Sequence, residues 1–565
     1  MKARSTGITI ALTIALAVGL SLAPVPQALR PFPSLVREPL GDALASLLLP
    51  ERGGARPQEV MTGAPVAVDS GSDANADVPP GESEEEIRAA REAAGESAGT
   101  EAPPSPAATL GASGFRSVRH LERLAKEVGA THVDLESPAS LERFFSKLEA
   151  LQQGDRREPV RVVHLGDSQV ASDHITDVIR ERLQLRYGSG GRGFLFVDRP
   201  TKFAGRKVRT GEASPGWEVT LLTDKAPKGV LGFTGARFVA SKTRETTEFE
   251  LGDSRSAELF FATDPNGGLL EVLADGEPIS SVFTRLADQN MAFTRVQIPA
   301  GAKKLRLASA EGEVSVFGVS LENDAPGVVY DSVGLPGAQF KVYLRAPENA
   351  FAAQLAKRDP ALVVLMLGGN ESYELGRGWV TLDDVRTHAS KLIDRIREAA
   401  PEADCLLFSP LDAGIRTVGG TIEPRPHTED VRKITREVAL AKGCAYWDLL
   451  TAMGGTGSVP KWLDAKLFHS DLVHPRAPGA DLMGHLFDFA LERARSGRPS
   501  ARNPAGGDPL GLQMPTEKPL AKTFEKLSAL QKGSKDAEAV RIVQLGASHT
   551  AGHMFTDVAR EQLAR

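Results

Sequence analysis

The apolar run Val160-Arg161-Val162-Val163-His164-Leu165 ends abruptly at Gly166-Asp167-Ser168, and a helical pattern then runs to about Arg186. Gly188-Ser189-Gly190-Gly191 stops it. Strand, tight turn and helix open an α/β unit, and two amphipathic patterns, Phe115–Val128 and Leu141–Gln152, precede it. From about Thr201 to Asn323 the period drops to two. Short alternating runs (Thr247–Leu251, Ala257–Ala262, Leu269–Leu273, Phe293–Ile298, Lys304–Ala308, Val314–Leu321) are separated by turns such as Asp264-Pro265-Asn266-Gly267-Gly268. Many short strands with regular turns predict a β-sandwich or jelly roll. After Pro326 the α/β rhythm returns. The buried-type strands Ala361–Leu367, Cys405–Phe408 and Ala445–Leu449 each follow a helix (Ala350–Lys357, Asp383–Ala399, Thr428–Ala441), and Leu482–Arg495 closes the unit. The sandwich is therefore expected as an insertion in one α/β domain, and residues on its two sides must meet in space.

Both ends of the chain read differently. Lys2 and Arg4 precede an apolar run, Gly7 to Ala23, the layout of a secretory signal or of a short signal anchor, so export is expected. From about Pro50 to Ala112 the chain is rich in Ala, Gly, Pro, Ser and Glu, a composition that buries too little apolar area to order itself and predicts a tether. The net charge of −6 and the lack of a basic stripe exclude a nucleic-acid footprint. The two cysteines, Cys405 and Cys444, are too few for a zinc framework. They stand at the starts of two neighbouring predicted strands, so they are either a disulfide or two inert buried thiols.

Three segments carry candidate chemistry. Ser168 stands at the carboxyl end of a core strand and the start of a helix, where open α/β sheets place their sites and where developing negative charge is favoured. In Ser470-Asp471-Leu472-Val473-His474-Pro475 the carboxylate of Asp471 is spaced to hold one imidazole nitrogen of His474 while the other faces a serine. Between them, Leu367-Gly368-Gly369-Asn370-Glu371-Ser372 follows a core strand, and the Asn370 amide is a ready oxyanion donor. The glycines of Tyr330–Ala338 offer a further backbone N–H. His164, in a buried strand, reads as a core histidine, and His469 as a loop residue. Trp447-Asp448 reads as structural. The insertion's Phe233, Phe238, Phe260, Phe261, Phe283, Phe293 and Phe317 alternate like core, leaving Trp217 as its candidate for stacking on a sugar.

In order and placement these blocks resemble the SGNH (GDSL) hydrolase superfamily, over about Val160–Arg199 and Val328–Arg495. Gly166-Asp167-Ser168 is similar to the nucleophile block, Gly337 (or Gly334) to the oxyanion glycine, Asn370 to the asparagine block, and Asp471 with His474 to the final block. Within the superfamily the chain looks most similar to bacterial peptidoglycan O-acetylesterases with an inserted carbohydrate-binding-like sandwich. The insertion's position, Gly190-Gly191-Arg192-Gly193-Phe194 and Gly-Asn-Glu carry that likeness, and Gln169 departs from it where histidine is expected.

The resemblance implies a flavodoxin-like parallel sheet with helices on both faces, interrupted by the sandwich. It implies Ser168 as nucleophile, His474 as base, Asp471 as its orienter, and Ser168, Gly337 and Asn370 around the oxyanion, with neither metal nor cofactor. The implied reaction is removal of O-acetyl groups from a cell-envelope glycan in the periplasm, at the inner membrane or outside the cell. The alternatives are acetyl transfer, an esterase for another polysaccharide, and a dead glycan-binding protein. The expected domains are an export segment (1–30), a tether (31–112), the hydrolase (113–200 and 327–497), the sandwich (201–326) and a linker (498–520). Residues 521–565 begin a second copy. There Val540–Leu563 repeats Val160–Leu183 without a gap, and Gly546-Ala547-Ser548-His549 stands for Gly166-Asp167-Ser168-Gln169. No second Asp-x-x-His block follows, so Ser548 is expected to be silent here; the chain is either the front part of a longer tandem protein, the favoured reading, or carries a remnant copy packed on the first domain.

Overall fold

The computed structural model describes residues 118–200, 210–323 and 325–497. The expected export segment, tether, linker and second copy with Ser548 lie outside the described residues.

Five parallel strands form the central sheet, in the order Val328–Gly334, Val160–Gly166, Leu362–Met366, Asp404–Phe408 and Ala445–Trp447. Their side chains alternate between two buried faces, which is why they read as continuous apolar runs. Val163, Leu165, Val363, Leu365 and Leu407 point to one core, shared with the helices Glu348–Arg358, Leu382–Ala399 and Thr428–Ala441. Val162, Val364, Met366, Leu406 and Phe408 point to the other, covered by Val118–Val128, Glu142–Gln153, His174–Tyr187 and Ala477–Ser496. Helices on both faces of a parallel sheet match the expected SGNH-type α/β class. Among the described residues no helix is long and apolar enough to cross a membrane. Cys405 and Cys444, at the starts of neighbouring strands, form a disulfide, with Cα atoms 4.7 Å apart.

The interrupting segment consists of two antiparallel sheets. One orders Met291–Gln297, Ser256–Ala262, Val314–Glu322, Ala236–Ala240 and Trp217–Leu221, and Gly193–Leu195 also pairs with Val314–Glu322. The other orders Glu212–Ala213, Thr246–Glu250, Lys304–Glu311, Leu269–Ala274 and Glu277–Phe283. Phe238, Phe260 and Val316 of the first share one core with Phe249, Val272 and Leu305 of the second, and that core runs on into Val163 and Leu165 of the central sheet. The antiparallel layer thus starts at Gly193, ahead of the boundary expected at residue 201. Phe283 corrects the expected core. It is 73% exposed, because its edge strand turns Val282 inward instead. Phe293 is half-buried against Phe260.

A buried ion network holds the two layers together. Asp331, in the central sheet, accepts from Arg358 Nε at 2.6 Å and Nη2 at 3.2 Å and from the Phe194 backbone N–H at 2.7 Å. Arg358 Nη1 also donates to Glu322 at 3.0 Å, and Glu322 receives Arg161 through two further bonds of 2.9 and 2.8 Å. Removing one partner strands the others in a low-dielectric interior, so Arg358→Met is predicted to destabilise the fold by about 3–5 kcal/mol in urea unfolding. Arg386→Ala, which breaks the exposed pair with Glu437, should change it by less than about 1 kcal/mol. Burial alone would raise the Glu322 carboxyl, but Arg358 and Arg161 pull it from its ordinary 4.5 down to about 2. A depressed acid stabilises the fold above its unfolded value and loses that contribution as pH falls through the folded one. The stability gap between wild type and Glu322→Gln should therefore close between about pH 4.5 and about pH 2.

Candidate active site

The last residue of the strand Val160–Gly166 is glycine for a steric reason. A Cβ there would lie 2.3 Å from Val170 Cγ2 and 2.7 Å from the Met366 carbonyl. Asp167 then caps the short helix Ser168–Ala171, accepting the Gln169 backbone N–H at 2.9 Å, so Ser168 opens that helix at the sheet's carboxyl edge. The distant Asp471 shapes its own loop in the same way. One carboxylate oxygen accepts the backbone N–H groups of Val473 and His474 at 2.9 and 3.0 Å. Leu472, between Asp471 and Val473, is left-handed at φ 64° and buries its side chain, anchoring the loop to the core.

These two loops meet. His474 Nε2 lies 2.8 Å from Ser168 Oγ, and His474 Nδ1 lies 2.8 Å from the second Asp471 oxygen. Burial would raise the Asp471 carboxyl, but the hydrogen bond and charge of His474 and the two backbone N–H groups hold it at about 2. An ionised carboxylate only accepts, so Nδ1 carries the proton and the Nε2 lone pair faces the serine hydroxyl.

Asn370 stands at the start of the helix Gly369–Gly376, after Gly368 in the left-handed region at φ 117°. Its amide donates to the Ala338 carbonyl at 2.9 Å and, at a long 3.4 Å, to Asp167. Gly337 precedes Ala338 at φ 79°, exposed, in the turn closed by the Ala338 N–H to the Leu335 carbonyl. Gly334, the other candidate, has a packing role instead: a Cβ there would sit 2.1 Å from the Ala171 nitrogen. Ser168, Asn370, Gly369, Met366, Pro410 and Arg425 line one small depression.

Two further buried carboxyls flank it. Burial pushes Asp167 up to about 6 against the opposing pull of the Gln169 N–H, His474 and Arg425. Burial pushes Glu371 up to about 8, although the Phe340 backbone N–H donates to it at 2.7 Å.

The remaining candidates fall elsewhere. His164 is a core residue bonded to the Tyr330 hydroxyl at 2.8 Å, and burial lowers its imidazole to about 3, so it stays neutral. His469 braces the loop through its backbone N–H to the His474 carbonyl at 2.9 Å. Trp447 is core, and Asp448 caps the next helix. Trp217 is half-buried against the sandwich, its indole N–H donating to the Thr246 carbonyl at 3.0 Å. Among the described residues, Glu122, His132 and His485 form a grouping of metal-ligand type that joins the first and last helices through mutual hydrogen bonds.

Gln169 has a function that its mismatch to the expected histidine concealed. Buried beside Ser168, its Nε2 donates to the Val473 carbonyl at 3.1 Å, tying the serine turn to the histidine loop. The opposite amide orientation would set oxygen against oxygen. Arg425 was also missed. It donates to the Gly369 carbonyl at 3.4 Å, and the Pro-Arg-Pro setting of Arg425 was the one cue to a stiffly held arginine.

Residues 300–482 match the GDSL-like lipase/acylhydrolase family. That stretch holds Asn370, Asp471 and His474, while Ser168 lies on the far side of the inserted sheets. No curated protein matches the chain. Among solved structures, a peptidoglycan O-acetylesterase has the same fold, with a TM-score of 0.54 and 22% identity over 62% of this chain and 96% of that one. A family two carbohydrate esterase from Clostridium thermocellum gives a TM-score of 0.21 and 14% identity over 44% and 92%. A salicylyl-acyltransferase from a tetracycline biosynthetic pathway gives 0.23 and 16% over 49% and 95%.

Because Gln169 sets the approach of the two loops, Gln169→Leu should slow fluorophosphonate labelling of Ser168 by roughly tenfold to a hundredfold. The melting temperature should fall little. Unchanged labelling would remove Gln169 from the site.

Proposed function

We propose that this chain, which carries a hydrolase domain of the SGNH (GDSL) superfamily, removes O-acetyl groups from a cell-envelope glycan, with peptidoglycan the substrate. The observation that carries this reading is the continuous chain Asp471–His474–Ser168, with the Asn370 amide beside it.

In the reaction, the Ser168 hydroxyl oxygen attacks the acetyl carbonyl carbon while His474 Nε2 takes its proton. The negative charge on the former carbonyl oxygen falls to the Ser168 and Gly337 backbone N–H groups and the Asn370 amide. The long bond from Asn370 to Asp167 is the one exchanged for it. Collapse breaks the ester bond, and His474 passes its proton to the departing sugar oxygen. Water, deprotonated by the same imidazole, then attacks the acetyl-serine and frees acetate. The small depression, walled by Met366, Pro410 and Leu411, suits a short acyl group.

Glycan as substrate is supported by the shared fold with a peptidoglycan O-acetylesterase. Export is supported by the basic-then-apolar N-terminus and by the Cys405–Cys444 bridge, which belongs in an oxidising compartment. In this reading the residues from about Pro50 to Ala112 tether the enzyme to the membrane when the apolar segment is retained.

The test is acetate release from O-acetylated peptidoglycan, with Ser168→Ala as control. Wild type should release acetate in water without an added glycan acceptor, and Ser168→Ala should not. Acetate that appears only with an acceptor sugar would make the protein a transferase. Asn370→Ala should lower kcat by about a hundredfold to a thousandfold with KM nearly unchanged. Asp471→Asn, which offers an amide to Nδ1 and favours the wrong tautomer, should cost roughly 10⁴ in kcat.

A further inference from the structure

Large aromatic side chains left in water are unusual enough to ask what covers them. Two are Tyr373 and Trp379, 43% and 44% exposed, and both belong to the segment that begins at Asn370. Their rings meet edge to face with centroids 6.2 Å apart. The Arg377 guanidinium lies over both, 4.7 Å from Tyr373 and 5.0 Å from Trp379. Arg425, which lines the depression at Ser168, lies 6.0 Å from the Tyr373 ring centre. The aromatic pair is thus joined to the reacting serine by one arginine.

We infer that Tyr373, Trp379, Arg377 and Arg425 form a subsite for a carboxylate-bearing unit of the polymer next to the sugar that is deacetylated. This rests on the glycan-esterase reading above and narrows its substrate to an acidic glycan. Aromatic faces pack against the apolar C–H face of a pyranose ring, and guanidinium groups recognise carboxylates. Arg425 already faces the buried Asp167, but among the described residues no carboxylate pairs with Arg377. Glu374 is paired with Lys341 at 2.8 Å, Asp384 is engaged in capping Thr381, and Glu371 is buried beneath the helix. Arg377, already stacked on both rings, is held in place before any sugar arrives, which lowers the ordering cost of binding. The capture surface thereby moves to the hydrolase domain itself. The sandwich's own candidate, Trp217, is half-buried with its indole N–H already engaged.

The test uses the full-length chain carrying Ser168→Ala, so that binding is read without turnover. Its depletion from solution is measured on isolated O-acetylated peptidoglycan and on the same material with its carboxyls amidated. Trp379→Ala with Tyr373→Ala should weaken binding by about tenfold or more. Trp379→Phe with Tyr373→Phe, which keeps both stacking faces, should restore most of it. Phe283→Ala, an exposed ring on the sandwich, should leave binding unchanged. Amidation should weaken the parent protein but have little further effect on Arg377→Gln. The subsite is overturned if the double alanine variant, folded by circular dichroism, binds like the parent, or if amidation affects Arg377→Gln and the parent equally. Either result, alongside acetate release by the active enzyme, leaves the esterase reading standing. Neither binding nor acetate release would sink both.

Discussion

The structure depends on one pairing: the strand Val160–Gly166 lies in register against Val328–Gly334, although the whole sandwich separates them in sequence. Parallel strands bring all their carboxyl ends to one edge, and there the loops after Gly166, Met366 and Phe468 converge. Ser168 and His474, 306 positions apart, meet at hydrogen-bond distance as a consequence. The Asp331–Arg358–Glu322–Arg161 network serves the same end. It spans the central sheet, the helix behind it and the last sandwich strand, so the long excursion cannot swing about its junction.

Three carboxyls near the serine are driven apart in proton affinity by their surroundings. Asp471 is held near 2 by an imidazole and two backbone N–H groups, while Asp167 rises to about 6 and Glu371 to about 8 because burial outweighs their partners. Asp471 therefore keeps the firmest negative charge at neutral pH, while Glu371 stays largely protonated, and Asp471 is the one that bonds His474. A full charge on Glu371, one residue from Asn370, would oppose any negative charge developing beside that amide. Burial of Glu371 thus keeps that position uncharged at a cost in stability, a separation of roles that one sheet edge makes available.

What the sequence shows clearly are features set by local pattern. Thr428–Ala441 is a helix with the bounds its periodicity predicts, and the strands Val160–Gly166 and Leu362–Met366 differ from expectation by about one residue. The blocks around Ser168, Asn370 and His474 were legible because each lies in a short strand-to-turn context. Less legible were features that depend on which neighbour arrives. Alternation alone does not say which of Val282 and Phe283 faces inward on an edge strand. Gln169 reads as a mismatch until Val473, 304 positions away, supplies its carbonyl. Trp379 and Tyr373 carry no periodic signal, since what marks them is exposure beside a cleft assembled from distant loops.

The insertion remains compatible with the hydrolase fold because of where its ends lie. Two adjacent parallel strands always need a long crossover, ordinarily closed by a helix on the sheet's face. Here the helix His174–Tyr187 begins that crossover and the sandwich lengthens it. Closing a long flexible loop costs entropy, but a folded insert whose ends are neighbours costs little more than a short turn. Gly193 pairs directly with Leu321, so the chain enters and leaves the sandwich on adjacent antiparallel strands. Gly188 and Gly191 hold that doorway at φ 88° and 122°, and a Cβ on Gly191 would lie 2.6 Å from the Glu322 Cα. The glycine cluster that first reads as a helix stop is thus also the hinge plate of the insertion. It sets the entry strand against the exit strand closely enough for Glu322 to reach Arg161 and for Asp331 to cap Phe194. The pairing that positions Ser168 is preserved because the insert returns the chain almost to the point at which it left.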